Sequence, residues 1–166
     1  NSNTRSWGMY AGGTGGSNSA SATRTVSMGI GNTIGFSMDN GVVTSGGTVG
    51  FGLQNATGEN LMELYFTGGA SFYTLNDNAG AVATTLANTT SGLDVSLTYT
   101  GANTYTVTIT GKGGNTVSYT GRTFSTRGGG QLPAQIRFFN AGAGNGPTYD
   151  LFFNSLSINN PVITTQ

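Results

Sequence analysis

Six carboxylates are the side chains best able to run acid–base chemistry here: Asp39, Glu59, Glu63, Asp77, Asp94 and Asp150. The sequence has no His and no Cys. The commonest general base, the commonest zinc ligand, thiolate nucleophiles and disulfides are therefore missing. Cleaving a sugar bond with two acids would ask for a pair on one strand face, two or four residues apart. Only Glu59 and Glu63 come close, and the apolar run from Leu61 breaks any alternating acidic pattern. A serine nucleophile would lack a histidine, and Lys112 lies in a Gly-rich turn without a partner. The chain reads as non-catalytic.

Binding chemistry is better represented. Asp77, between Asn76 and Asn78, is an oxygen-rich turn, and Asp39 beside Asn40 is a second. Such oxygens suit calcium, although an Asx turn asks for the same residues without an ion. Trp7, Tyr10, Tyr65, Tyr73 and Tyr149 could stack on sugar C–H faces while polar neighbours bond hydroxyls. The competing reading is that most of these rings pack inside. Asn55-Ala56-Thr57 and Asn88-Thr89-Thr90 match the acceptor pattern for N-linked glycans, so Asn55 and Asn88 are candidate glycosylation sites.

The elements that must carry these residues are strands. Val26, Met28 and Ile30 alternate, as do Ile34, Phe36 and Met38, then Val49, Phe51 and Leu53. A period of two places each set on one strand face. Asp39-Asn40-Gly41 and Ser45-Gly46-Gly47 supply turn chemistry between them. Leu61 to Phe66 is nearly continuous and predicts a central strand buried on both faces. Phe72 to Leu75 leads into the turn Asn76 to Gly80. Leu93 to Tyr99, Tyr105 to Ile109 and Val117 to Tyr119 form a three-strand meander joined by Gly/Asn loops. Ile136 and Phe138, then Tyr149 to Ile158, give the last strands. No window longer than one turn has helical periodicity. About ten or more short strands predict an all-β, two-sheet antiparallel sandwich over residues 1–166. Residues 1–20 read as an N-terminal strand plus a flexible Gly/Ser linker, and 159–166 as a tail.

Composition narrows the partners. Charged residues make up 7% of the chain, against roughly 25% in an average soluble domain, and six basic residues balance six acidic ones. No basic footprint for nucleic acid exists, and no apolar run approaches the length of a membrane helix. So little charge leaves strand edges unguarded, which favours self-association. The chain begins at Asn1 and is expected to be a processed or excised segment, its signal peptide already removed.

Three stretches carry a resemblance: Gly47 to Gln54 (GTVGFGLQ), the meander Leu93 to Tyr119, and Ile136 to Ile158 (IRFFNAGAGNGPTYDLFFNSLSI). Their order resembles the concanavalin A-like and laminin G-like jelly rolls of carbohydrate-binding modules and secreted bacterial surface proteins. The resemblance implies a jelly-roll-like sandwich, and modules of this kind often carry calcium and sugar-stacking aromatics. The expected function is a non-catalytic extracellular structural module of a surface or filament protein. It would self-assemble into a homo-oligomer or polymer by strand exchange, through Ser6 to Tyr10 or the tail, and carry glycans. The alternative is a carbohydrate-binding module that holds a polysaccharide.

Overall fold

The computed structural model describes residues 5–12, 18–126 and 130–159. Twelve strands run in chain order: β1 (Trp7–Met9), β2 (Ser19–Thr25), β3 (Thr33–Asn40), β4 (Thr48–Gln54), β5 (Asn60–Thr67) and β6 (Phe72–Asp77), then β7 (Gly80–Ala87), β8 (Leu93–Gly101), β9 (Thr104–Gly111), β10 (Thr116–Thr123), β11 (Gln135–Ala141) and β12 (Leu151–Asn159). One 3-10 turn, Pro147–Tyr149, precedes β12, and no α-helix occurs among the described residues. The strands form two antiparallel six-stranded sheets. The first has the order β1-β12-β3-β8-β9-β10 and the second β2-β11-β4-β5-β6-β7. The chain is thus an all-β, two-sheet antiparallel jelly-roll-like sandwich, as the expected strands implied.

The inward rows make the core. Ile34, Phe36 and Met38 of β3 face Val49, Phe51 and Leu53 of β4 and Ile136 and Phe138 of β11, all nearly inaccessible. The Phe36 ring meets Phe51 edge-on at 4.7 Å and Phe138 at 5.0 Å, the offset geometry that aromatic quadrupoles favour. Interdigitated rings from both sheets lock their relative position, so the outward rows become fixed platforms.

Several expectations change. Val26, Met28 and Ile30 do not form a strand: β2 stops at Thr25, and Ile30 is exposed while Val26 and Met28 are buried. A turn closes there, with the Asn32 N–H donating to Gly29 O at 3.0 Å and Gly31 at φ 89°. Positive φ is a conformation glycine adopts without the Cβ penalty, and it outweighs the alternation. Asp39-Asn40-Gly41 is not a turn, since β3 continues through Asn40. There Asn40 points inward and accepts a 2.6 Å hydrogen bond from the Tyr73 hydroxyl, so burial of its amide is compensated. β5 is buried on one face rather than two. After an irregularity at Leu53/Gln54, Leu64 and Phe66 face the core while Glu63 and Tyr65 are only half-buried. β7 escaped the sequence reading because its inward row contains Thr84, whose hydroxyl donates to Tyr73 O at 2.9 Å.

Candidate functional site

The outward row of the second sheet has a particular construction. Strand register places Arg137 of β11 opposite Gly52 of β4, Gly52 opposite Glu63 of β5, and Glu63 opposite Asn76 of β6. One row along, Phe139 is opposite Gly50, Gly50 opposite Tyr65, and Tyr65 opposite Thr74. Two central glycines therefore separate a cation and a ring on one side from an anion and a ring on the other. The missing side chains let the flanking walls close in, and the narrow trough between them has a closed floor, since Gly50 and Gly52 are themselves buried. A Cβ at Gly52 would come within 3.1 Å of Glu63 Cγ, and one at Gly50 within 2.8 Å of Tyr65 Cβ. Larger residues would push the walls apart.

The trough walls are joined in series. Gln54 Nε2 donates to Asn60 Oδ1 at 2.8 Å, and Asn60 Nδ2 donates to Glu63 Oε1 at 2.7 Å. Glu63 Oε1 lies 3.9 Å from Arg137 Nη2, and the Arg137 guanidinium sits 4.7 Å over the Phe139 ring. A guanidinium on an aromatic face is held in plane by cation–π attraction. The Arg137 and Glu63 side chains keep 30% and 17% of their exposure, so both are reachable from solvent. Arg137 Nε is buried without a hydrogen-bond partner among the described residues, an arrangement that costs stability. Burial, and then the nearby Glu63 charge, raises the Tyr65 hydroxyl above its ordinary pKa, so it remains a protonated donor. This surface can exchange hydrogen bonds with hydroxyl groups and offer the half-buried Tyr65 ring to C–H groups, while Phe139, 7% exposed and under the Arg137 guanidinium, is closed off. It presents one charge of each sign.

Most sequence-nominated residues lie elsewhere. Trp7 and Tyr10 sit at the β1 edge of the first sheet, 74% and 69% exposed, and Tyr10 meets Phe152 edge-on at 6.5 Å. Tyr73 is fully buried with its hydroxyl on Asn40. Burial pushes that hydroxyl's pKa well above the ordinary tyrosine value, and the ring cannot stack on a ligand. Tyr149 lies in the 3-10 turn, packed against the core and over Gly144. The four rings do not share a platform. Tyr65, also nominated, is the one that reaches the trough. Arg137, Gln54, Asn60, Glu63 and Phe139 went unrecognised as binding residues. The glycine alternation in GTVGFGLQ is the one sequence signal that could have marked a floor.

The calcium expectation meets a different chemistry. Asp77 is buried, with its carboxylate gripped by Arg122: Nε to Oδ2 at 2.8 Å and Nη2 to Oδ1 at 2.7 Å. The Tyr105 hydroxyl donates to Oδ2 at 2.6 Å and the Ala79 N–H to Oδ1 at 3.0 Å. Arg122 supplies the positive charge that an ion would have supplied. Asn76 and Asn78 flank this pair without building an acid cluster around it. Asp39 lies within β3 opposite Phe152, and burial raises its carboxyl above the ordinary value against the pull of Lys112. No three acidic groups converge among the described residues.

The glycosylation candidates divide. Asn55 is 1% exposed. Its Nδ2 donates to Glu59 Oε2 at 2.8 Å and Gly130 O at 3.1 Å, and its Oδ1 accepts from the Thr57 and Glu59 N–H groups at 3.1 and 3.0 Å. Asn55 is a latch for its loop, and its amide nitrogen is not presented for modification in the folded chain. Asn88 is exposed after β7 and accepts from Asn40 Nδ2 at 3.3 Å. β1 pairs with β12 of its own chain. Residues 160–166, the other proposed donor, lie outside the described residues.

Neither a protein-family model nor a curated protein sequence matches the chain. Solved structures do. A tetrameric galectin from the ball sponge Cinachyrella is similar at TM-score 0.55 and 16% identity, over 84% of this chain and 99% of that one. Sheep galectin-11, in complex with glycerol, is similar at TM-score 0.51 and 9% identity, over 83% and 96%. The alginate lyase from Klebsiella pneumoniae is similar at TM-score 0.48 and 14% identity, and the chain spans 61% of its length. At these identities the likeness establishes the fold. The chemistry therefore rests on this chain's own residues.

Proposed function

We propose that this chain is a non-catalytic carbohydrate-binding jelly roll of an extracellular protein, which takes a neutral oligosaccharide on the outer face of its second sheet. The observation that carries the reading is the narrow glycine-floored trough, where Gln54, Asn60 and Glu63 form a hydrogen-bonded series that ends on an ion pair with Arg137, beside Tyr65 and Phe139. Sugar hydroxyls both donate and accept, and so match a mixed array. Opposite charges on Arg137 and Glu63 leave no net field to select a charged ligand. The carboxylates support a binding role over a catalytic one. Glu63 is committed to Asn60 and Arg137, and Glu59 to Asn55 and Thr57. Likeness of fold to galectins supports the reading at the level of architecture. The test is a panel of immobilised neutral glycans with calorimetry on any that retain the protein. Arg137→Met and Tyr65→Ala are expected to abolish retention, and Trp7→Ala to leave it intact. A panel with no retention, or retention that survives Arg137→Met, overturns the proposal.

A second reading, a structural module of a surface or filament assembly, has its own observation. The edge strand β7 carries no charged residue between Gly80 and Ala87, and its Val82 is 43% exposed. Such an edge can pair with a second copy, and a glycan on Asn88, just beyond it, would limit that pairing. Light scattering across protein concentration tests it: polymers that Val82→Lys disperses support it, and a monomer at every concentration ends it.

A further inference from the structure

A cavity lies away from the trough, between the sheets at the β1/β2 edge. It measures about 1010 Å³ and is lined by Trp7, Ala22, Phe138, Phe153 and Leu156, with Arg5 and Arg24 also in its wall. Its openness follows from the strands. β1 pairs only with Leu151 to Phe153, so beyond Phe153 the first sheet ends at β12 while β2 runs on to Thr25. Register puts Trp7 opposite Phe153 and Phe153 opposite the core residue Met38. Trp7 therefore sits on the inward side of its strand, yet it is 74% exposed. The residue of β2 that would cover it from the other sheet is Ala22, which pairs with Phe138. Phe138 and Phe153 stack at 4.0 Å behind the opening. Ser155, at the β12 irregularity, lines the same cavity and is the one non-glycine residue with left-handed φ, 56°, among the described residues. Strained backbone of this kind gathers at ligand clamps.

We propose that this cavity binds an amphipathic carboxylate, its acyl chain between Trp7 and the Phe138–Phe153 stack and its head group on Arg24 and Arg5. The apolar floor and exposed indole call for a hydrocarbon body. The charge follows from the wall, which contains two arginines and no acidic residue. Arg24 is opposite the buried Ile136, on the inner side of β2, so its guanidinium stands on the cavity side and away from the trough. This site stands independently of the glycan reading, because no residue is shared between the two.

Trp7 is the only tryptophan in the chain, so its emission reports the cavity directly. The experiment titrates the full chain with decanoate below its micellar concentration, with decan-1-ol as the uncharged control. Decanoate is expected to shift the emission to the blue and to saturate, more tightly than decanol. Arg24→Gln is expected to weaken decanoate by about fivefold, the upper range for an exposed ion pair, and to leave decanol unchanged. Ala22→Phe, with the sheet spectrum checked by circular dichroism, is expected to fill the gap and remove both responses. An emission that decanoate does not move, or that moves without saturating, overturns the proposal. So does equal binding of acid and alcohol, or an emission that follows protein concentration alone, the mark of a second copy covering the edge.

Discussion

Removing Arg122 should unfold more of this protein's stability than any other single charge deletion. The Asp77 side chain has no solvent exposure, while Arg122 keeps 21%. Arg122→Met preserves much of the apolar stem and removes both charge-assisted hydrogen bonds. The carboxylate is left with the Tyr105 hydroxyl and the Ala79 N–H. Stranding one member of a buried pair costs about 3–5 kcal/mol. For a chain of this size about 1 kcal/mol moves the melting temperature by about 2–4 °C, so the expected loss is about 6–20 °C. Tyr105→Phe removes one hydroxyl donor from the same carboxylate and should cost about 1.5–3 kcal/mol. The two losses should be non-additive, since both act through Asp77. Urea unfolding gives the midpoint and slope for each variant and for the pair. A loss under about 1 kcal/mol for Arg122→Met would mean that Asp77 is solvated and the pair is a surface contact. Recovery of the lost stability on adding calcium to the wild-type chain after chelation would contradict the ion-pair account from the other side.

Further outcomes follow from the same contacts. Tyr73→Phe should lower stability by about 1–2 kcal/mol through the unmet Asn40 oxygen, and leave glycan retention unchanged, because the ring never reaches the surface. Asn55→Ala should loosen the Asn55–Glu59 loop, seen as faster amide exchange of Thr57 and Glu59, and the wild-type chain expressed through a secretory pathway should carry no glycan at Asn55 by mass spectrometry. Asp150→Asn tests pH dependence. Burial raises that carboxyl, so its stabilising contribution is full below the unfolded pKa and declines as pH climbs through the folded value. The variant should therefore gain on the wild type as pH rises from 4 to 7, and a constant difference would refute the burial argument.

The layer architecture was legible because alternation reports which side of a strand is apolar. It reported Ile34, Phe36 and Met38, or Tyr105, Val107 and Ile109, with no knowledge of neighbours. It failed where polar residues face inward with a partner far along the chain. Asn40 waits on Tyr73, and Asp77 on Arg122. The trough was hidden for a related reason. Arg137 and Glu63 are 74 positions apart, and only the shared register with Gly52 brings them onto one row. Aromatic type drew the sequence reading to Trp7 and Tyr73, but ring type does not say which face a ring occupies. Tyr65 was nominated beside four other rings, and only its register with Gly50 singles it out.

The most direct test of the carbohydrate reading is a backbone amide NMR titration of the isotopically labelled chain with a neutral oligosaccharide retained on the panel. Shifts should concentrate on Gly50, Gly52, Glu63, Tyr65 and Arg137 and saturate together, with Trp7 and Ala22 still. Shifts centred on Trp7 and Tyr10, with those five amides silent, would contradict it.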